Sequence, residues 1–243
     1  MASQNAIVGF RPSVNGLRFT NSWPHEPDVV VDLGPLGKVP IGDASNGLCG
    51  GMVYTVMDVF HTGMPPITDT VNPAAGTPLF RYLVDRLLDS FDVPAGVLKY
   101  FEWMNTPDHD TGLLFLTRRG IAWHTIKEEW TKIKADIDTG RLSSLGLVTV
   151  QSTDPRALGH NHQVLAYAYD IDDANRLTLY LYDPNTRTSA ADSVRLSLNL
   201  SQPTRTTAIT HNVNIARPIR GFFRTHYTFT NPAKVASRQV RAE

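Results

Sequence analysis

The chain has 243 residues, 42% of them hydrophobic and 19% charged, a balance that supports a substantial core and excludes disorder over most of the length. Lys and Arg total 23, as do Asp and Glu, so no overall field recommends nucleic acid or an anionic membrane as a partner. The opening "MASQNAIVGFRPSVNG" lacks the basic start and apolar run of a secretory signal, no stretch is apolar for long enough to span a membrane, and a single cysteine rules out an internal disulfide, so a cytoplasmic location is expected.

Residues 1–40 are rich in Pro and Gly around one apolar run, "VVVDLG" at 29–34, and read as an extended N-terminal arm with one strand. From Met52 the positions Met52, Val53, Val56, Met57 and Phe60 follow helical spacing until Gly63 and Pro65 end the pattern. Thr77 as cap, Pro78 in the first turn and an apolar face of Leu79, Tyr82, Leu83 and Leu87 predict a helix over 78–90. A third helix at 124–138 carries Ile126, Trp130, Ile133 and Ile137 on one stripe and stops at Gly140. The stretch 91–122 has no clear period.

After Gly140 the period changes to that of strands. The runs 145–151, 162–170, 176–183 and 193–200 are rich in β-branched, aromatic and leucine residues, and "HNVNIA" and "GFFRTHYTFT" extend them to about 230, beyond which residues 232–243 read as a frayed tail. Helices followed by strands indicate an α+β protein, a helical layer packed on a mostly antiparallel sheet or barrel, with a cleft between them.

Cys49 stands in "SNGLCGGMVYTVMDVF", at the first turn of the first predicted helix, where unpaired backbone N–H groups and the helix dipole favour a thiolate. Gly50 and Gly51 would leave room for a substrate backbone. A thiolate nucleophile needs an imidazole, and of eight histidines His162 opens a well-patterned strand that can aim its ring. Reading "HQVLAYAYDIDDANRLTLYLYDPN" as a hairpin in which Tyr169 pairs with Arg176 sets His162 opposite Asp183, close enough for a carboxylate–imidazole hydrogen bond.

With "GLCGGM" at the nucleophile helix, "GHNHQVLAYAYD" around the histidine and "LYLYDPN" around the acid, the chain resembles the papain-like cysteine peptidases, nearest the bacteriocin-leader-peptidase-like branch, over roughly residues 40–190. The resemblance implies one papain-like catalytic domain at 41–231, with a helical half at 41–140 carrying Cys49 and a β half at 141–231 carrying His162 and Asp183. It implies cleavage of a peptide or amide bond in a peptide or protein substrate through an acyl-enzyme, with no cofactor and no metal. Relatives place a glutamine about six residues before the cysteine to hold the oxyanion; here that position is Asp43, whose charge would repel it. Asn46, together with the Cys49 N–H, is the expected replacement. The departure leaves room for two other readings: a non-catalytic binding or structural protein that retains the fold, and a transglutaminase-like amine acyltransferase.

Other candidates have simpler explanations. His160 and His162 at i and i+2 could share a strand face as metal ligands, but only "DHD" at 108–110 and His124 suggest further ligands. Asp172 and Asp173 read as a solvated turn without calcium-loop spacing. Trp130 belongs to the helical stripe, Trp123 is free to line a cleft, and Phe222, Phe223 and Tyr227 read as sheet packing.

Overall fold

In the computed structural model, which describes residues 2–23, 28–32, 38–43, 47–113 and 116–233, the chain is a mixed α+β protein in which helices cover one antiparallel sheet. Helix α2 (Cys49–Thr62) follows β1 (Ser3–Ala6), the short α1 (Pro12–Asn15) and a hairpin of β2 (Asp28–Asp32) and β3 (Lys38–Asp43). It starts three residues before the apolar pattern begins, because Cys49, Gly50 and Gly51 form its first turn, and it stops at Gly63 in the left-handed region at φ 66°. Helix α3 (Pro78–Ser90) is capped by Thr77, whose Oγ1 accepts the Phe80 N–H at 3.3 Å.

The stretch without a clear period contains α4 (Ala95–Met104), which buries Val97, Tyr100, Trp103 and Met104, and a small hairpin, β4 (Thr111–Leu113) with β5 (Leu116–Arg118). The third predicted helix begins earlier than expected. It comprises α5 (Ile121–Trp123), a π-helical segment (His124–Glu129) and α6 (Trp130–Asp138), with Ile126, Trp130, Ile133 and Ile137 buried as the stripe requires. Among the described residues no helix is long and apolar enough to cross a membrane.

The sheet runs in the order β10 (Thr210–His211), β9 (Arg195–Asn199), β8 (Arg176–Tyr182), β7 (His162–Ile171), β6 (Ser143–Val148) and β11 (Gly221–Arg224). Strand β7 is long enough to share one edge between two partners: β6 pairs with His162–Ala166, and β1 pairs with Ala168–Ile171. The separate N-terminal arm is therefore corrected for residues 2–23. β1 completes the sheet and Ile7, Phe10, Leu17, Phe19 and Trp23 are buried in the main core; transfer of that apolar surface from water ties the segment down. Of the tail, residues from 234 onward lie outside the described residues.

The β7–β8 register also differs from the expected one. Tyr169 pairs with Leu179 rather than Arg176, because the strands continue pairing as far as Ile171 and Leu177 and the turn is tighter than expected, with Asp172 Oδ1 accepting the N–H groups of Ala174 and Arg176 at 2.9 Å each. A bulge between Ala166 and Ala168 then shifts the pairing by one, so that Leu165 faces Tyr182. Continued one step, this sets Asp183 beside Val164, on the same face as His162. Without the bulge, Asp183 would fall on the opposite face.

Close packing holds α2 against its neighbours. A Cβ on Gly51 would lie 2.0 Å from the Leu83 carbonyl oxygen of α3, and one on Gly50 would lie 2.1 Å from Ser90 Oγ and 2.8 Å from Gln163 Oε1. Both glycines are buried, so they serve helix packing and not the approach of a substrate backbone. Further along, the buried Asp58 of α2 meets Arg86 of α3 at 2.7 Å, and both accept or donate bonds to the C-terminal segment through Tyr227, Thr228 and Thr230.

Gly51→Ala is expected to destabilise the fold by about 3 kcal/mol, since the obstructing atom is backbone and cannot rotate away. A lowered urea midpoint would show it. An unchanged midpoint would mean that α3 is free to shift.

Candidate active site

Three elements bring the candidate residues together. Cys49 is the first residue of α2, His162 the first of β7, and Asp183 directly follows β8. His162 and Asp183 are buried, at 5% and 1% exposure, while Cys49 is partly exposed and is a free thiol. His162 Nε2 lies 2.8 Å from Asp183 Oδ1. Nδ1 is then the ring nitrogen left for Cys49, with which the ring also hydrogen-bonds.

The carboxylate of Asp183 is held on both oxygens. Oδ1 accepts the Asn185 N–H at 2.9 Å in addition to the imidazole, while Oδ2 accepts the Thr186 hydroxyl at 2.8 Å and the Asn214 N–H at 2.9 Å. A buried carboxylate needs such partners to stay ionised. Burial pushes its pKa up, but the His162 hydrogen bond and charge and the two backbone N–H groups outweigh burial and bring it down to about 2.

The same competition sets the other two groups. Burial raises the Cys49 thiol, yet the His162 charge and hydrogen bond, with the Gln163 and Gly50 backbone N–H groups, leave it below its ordinary value. Burial lowers His162, and the opposing Cys49 charge and Asp183 hydrogen bond prevail, lifting it to about 10. Both shifts favour a thiolate–imidazolium pair. Between the ordinary values of 6.5 and 9.0 the proton that His162 gains offsets the one Cys49 loses, so folding through this pair changes little with pH there.

Sequence reasoning missed Asn21. Its Oδ1 accepts the Leu48 N–H at 2.6 Å at the cap of α2, and its Nδ2 donates to Asn185 Oδ1 at 2.8 Å. One side chain thus ties the start of α2 to the loop that holds Asp183. Gly47, with φ 90°, lies directly under that amide; a Cβ there would come within 2.5 Å of Asn21 Nδ2. Nothing in the spacing of "RFTNSWP" signals this role, because Asn21 is 27 residues from its first partner and 164 from its second. Gln163, next to the histidine, points to the other face, where its Nε2 donates to Ser90 Oγ at 3.3 Å.

The remaining candidates fall elsewhere. Asn46 lies outside the described residues, and Asp43 ends β3. His160 sits in a 3-10 segment, Pro155–His160, and is exposed, so it does not share a strand face with His162. Asp108 pairs with Arg220 at 2.7 Å and Asp110 with Arg119 at 2.5 Å, which makes "DHD" a set of loop anchors. His124 pairs with Glu128. Among the described residues no three His, Cys, Asp or Glu stand together as metal ligands. Trp130 packs on Tyr169 in the core, Phe222 and Phe223 are buried, and Trp123 stacks under the Arg119 guanidinium.

Comparison with protein-family models, with curated proteins and with solved structures found no match for this chain.

The lowered pKa of Asp183 means that its contribution to stability is present above the ordinary carboxylate value of 3.8 and is lost as pH falls toward about 2. Asp183→Asn is therefore expected to destabilise the protein by about 2 kcal/mol at pH 7, with the gap closing between pH 4 and 2. Urea denaturation of both proteins across that range checks it, and an equal gap at both ends would contradict it.

Proposed function

We propose that the protein is a papain-like thiol hydrolase that cleaves a peptide or amide bond through Cys49, His162 and Asp183. The observation that carries this reading is the linked arrangement of a thiol at a helix start, an imidazole on a facing strand and a carboxylate on the next strand. Its support is chemical: the thiol is held below its ordinary pKa by an imidazole that is itself oriented by a buried carboxylate. The layered arrangement agrees with it, since the helices present the nucleophile and the sheet presents the base and acid.

The Cys49 thiolate attacks the carbonyl carbon of the scissile bond, and the carbonyl electrons move onto oxygen. The Cys49 N–H, in the first turn where the helix supplies no acceptor, donates to that oxyanion. His162 passes its proton from Nδ1 to the departing amine as the C–N bond breaks, leaving a thioester on Cys49. Neutral His162 then takes a proton from water, whose oxygen attacks the thioester, and the acid product leaves as the thiolate re-forms. Asp183 fixes the ring through Nε2 at every step. Asn21 is a positioning residue: it anchors the Leu48 N–H and so the first turn on which the oxyanion donor sits.

The test is alkylation of Cys49 by iodoacetamide from pH 5 to 9, paired with amine release from a peptide library. Wild type is expected to alkylate rapidly near pH 6, and His162→Ala to shift the profile to higher pH, toward that of an ordinary thiol. Peptide cleavage should vanish in Cys49→Ala. A thiol inert at every pH, or a profile unmoved by His162→Ala, refutes the ion pair; a reactive thiol with no cleavage of any peptide refutes the hydrolase.

A further inference from the structure

At the other end of α2 lies a cavity of about 430 Å³, bounded by α2, α6, β6 and the segment after β11. Met57, on its wall, is eight residues beyond Cys49, about 12 Å along the helix axis, so the cavity is separate from the thiol. Its volume lies within the range of small-molecule sites.

The walls divide into a charged side and an apolar side. On the charged side Asp136 is buried and its carboxylate is fully engaged. Oδ1 accepts Arg141 Nη2 at 3.2 Å, and Oδ2 accepts the Ser143 hydroxyl at 3.0 Å and Arg224 Nε at 2.5 Å. Two guanidinium groups therefore share one carboxylate, leaving one positive charge on the wall without an anion. Glu129 accepts the Arg224 backbone N–H, but it is already matched by Lys99 and Lys132 at 2.9 and 2.8 Å. Asp58, behind Tyr227, is matched by Arg86. Both arginines remain reachable: their side chains are 58% and 37% exposed.

Met57 and Leu142 form a buried apolar floor, and Tyr227, with His61 stacked on it at 5.7 Å, closes one side. Phe229 stands on the rim with 49% of its surface exposed, so its ring is accessible from the cavity mouth.

The geometry points to a binding site for a monocarboxylate on an apolar body, with the carboxylate on Arg141 and Arg224 and the body against Met57, Leu142 and Phe229. A single spare positive charge suits one negative charge better than the two of a phosphate monoester, and a planar carboxylate fits the guanidinium fork. This chemistry has two sources: a free aliphatic or aryl acid, and the carboxy-terminus of a peptide that ends in an apolar residue.

Calorimetric titration of the full chain with octanoate, octanamide, and a short phenylalanine-terminated peptide as its acid and its amide tests the site. At least one acid is expected to bind at least about tenfold more tightly than its amide, and which acid binds identifies the source. Arg141→Gln should remove that preference while leaving the amide's affinity unchanged, since Arg224 still holds Asp136. Phe229→Ser, on the exposed rim, should weaken acid and amide alike without lowering the melting temperature. Acid and amide binding equally, Arg141→Gln keeping the preference, or no binding at millimolar ligand each overturns the proposal. Octanoate binding measured with Cys49→Ala in place of wild type should be the same, so the result stands apart from the thiol chemistry.

Discussion

Gly51 sets its helix against the Leu83 carbonyl of α3, in a space where a methyl group would lie 2.0 Å from the oxygen, and Gly50 does the same against Ser90 and Gln163. This approach brings the first turn of α2 down to β7, and so brings Cys49 to the strand that begins with His162. Farther along, the buried Asp58–Arg86 pair holds the same two helices, and the C-terminal segment closes over it through Tyr227 and Thr230. Interiors packed at crystal-like density leave little slack at such contacts. The spacing of sulfur and imidazole is therefore inherited from the packing of helix on helix and helix on sheet.

Charge at the site is balanced in the same closed manner. Asp183 has a partner for each lone-pair direction it uses, two of them backbone N–H groups that cannot move without moving the loop. An unpaired carboxylate at that depth would take up a proton instead of staying charged. With the carboxylate satisfied, the imidazole has a fixed orientation, and its charge, together with the hydrogen bonds from the ring and from the Gln163 and Gly50 N–H groups, outweighs the burial of the thiol. Asn21 joins the two halves of this network from a segment far away in sequence, linking the helix cap to the loop after Asp183 through one side chain.

Helix α2 also carries a second environment at its far end. There Met57 and His61 face two arginines that share Asp136, a wall with more positive charge than its own acids neutralise. The helix thus joins a cluster whose charges are matched to one that leaves a cation available, and the difference is chemical rather than positional. In the first, every polar atom of the acid has a protein partner; in the second, the acid is saturated before its bases are.

Much of the element pattern was legible from residues alone, because periodicity reports burial directly. The 78–90 helix with its Thr77 cap, the stripe through Ile126, Trp130, Ile133 and Ile137, and strands β6 to β9 after Gly140 all follow from side chains that must reach one core, whereas "HNVNIA" and "GFFRTHYTFT" are strand only at Thr210–His211 and Gly221–Arg224. Residues such as Cys49, His162 and Asp183 stand out by type and by local context. What sequence could not decide depends on contacts between distant segments. The bulge at Ala166/Ala168 puts Asp183 on the face of His162, although the turn that sequence suggested has a different register. The folding of residues 2–23 into the core, the bridge from Asn21 to Asn185, and the packing role of Gly50 and Gly51 leave no periodic trace, because each answers to an atom supplied by another element. Local propensity and pattern determine which residues form helices and strands; only the tertiary structure, where backbone carbonyls, caps and bulges meet at fixed distances, decides which of them face one another.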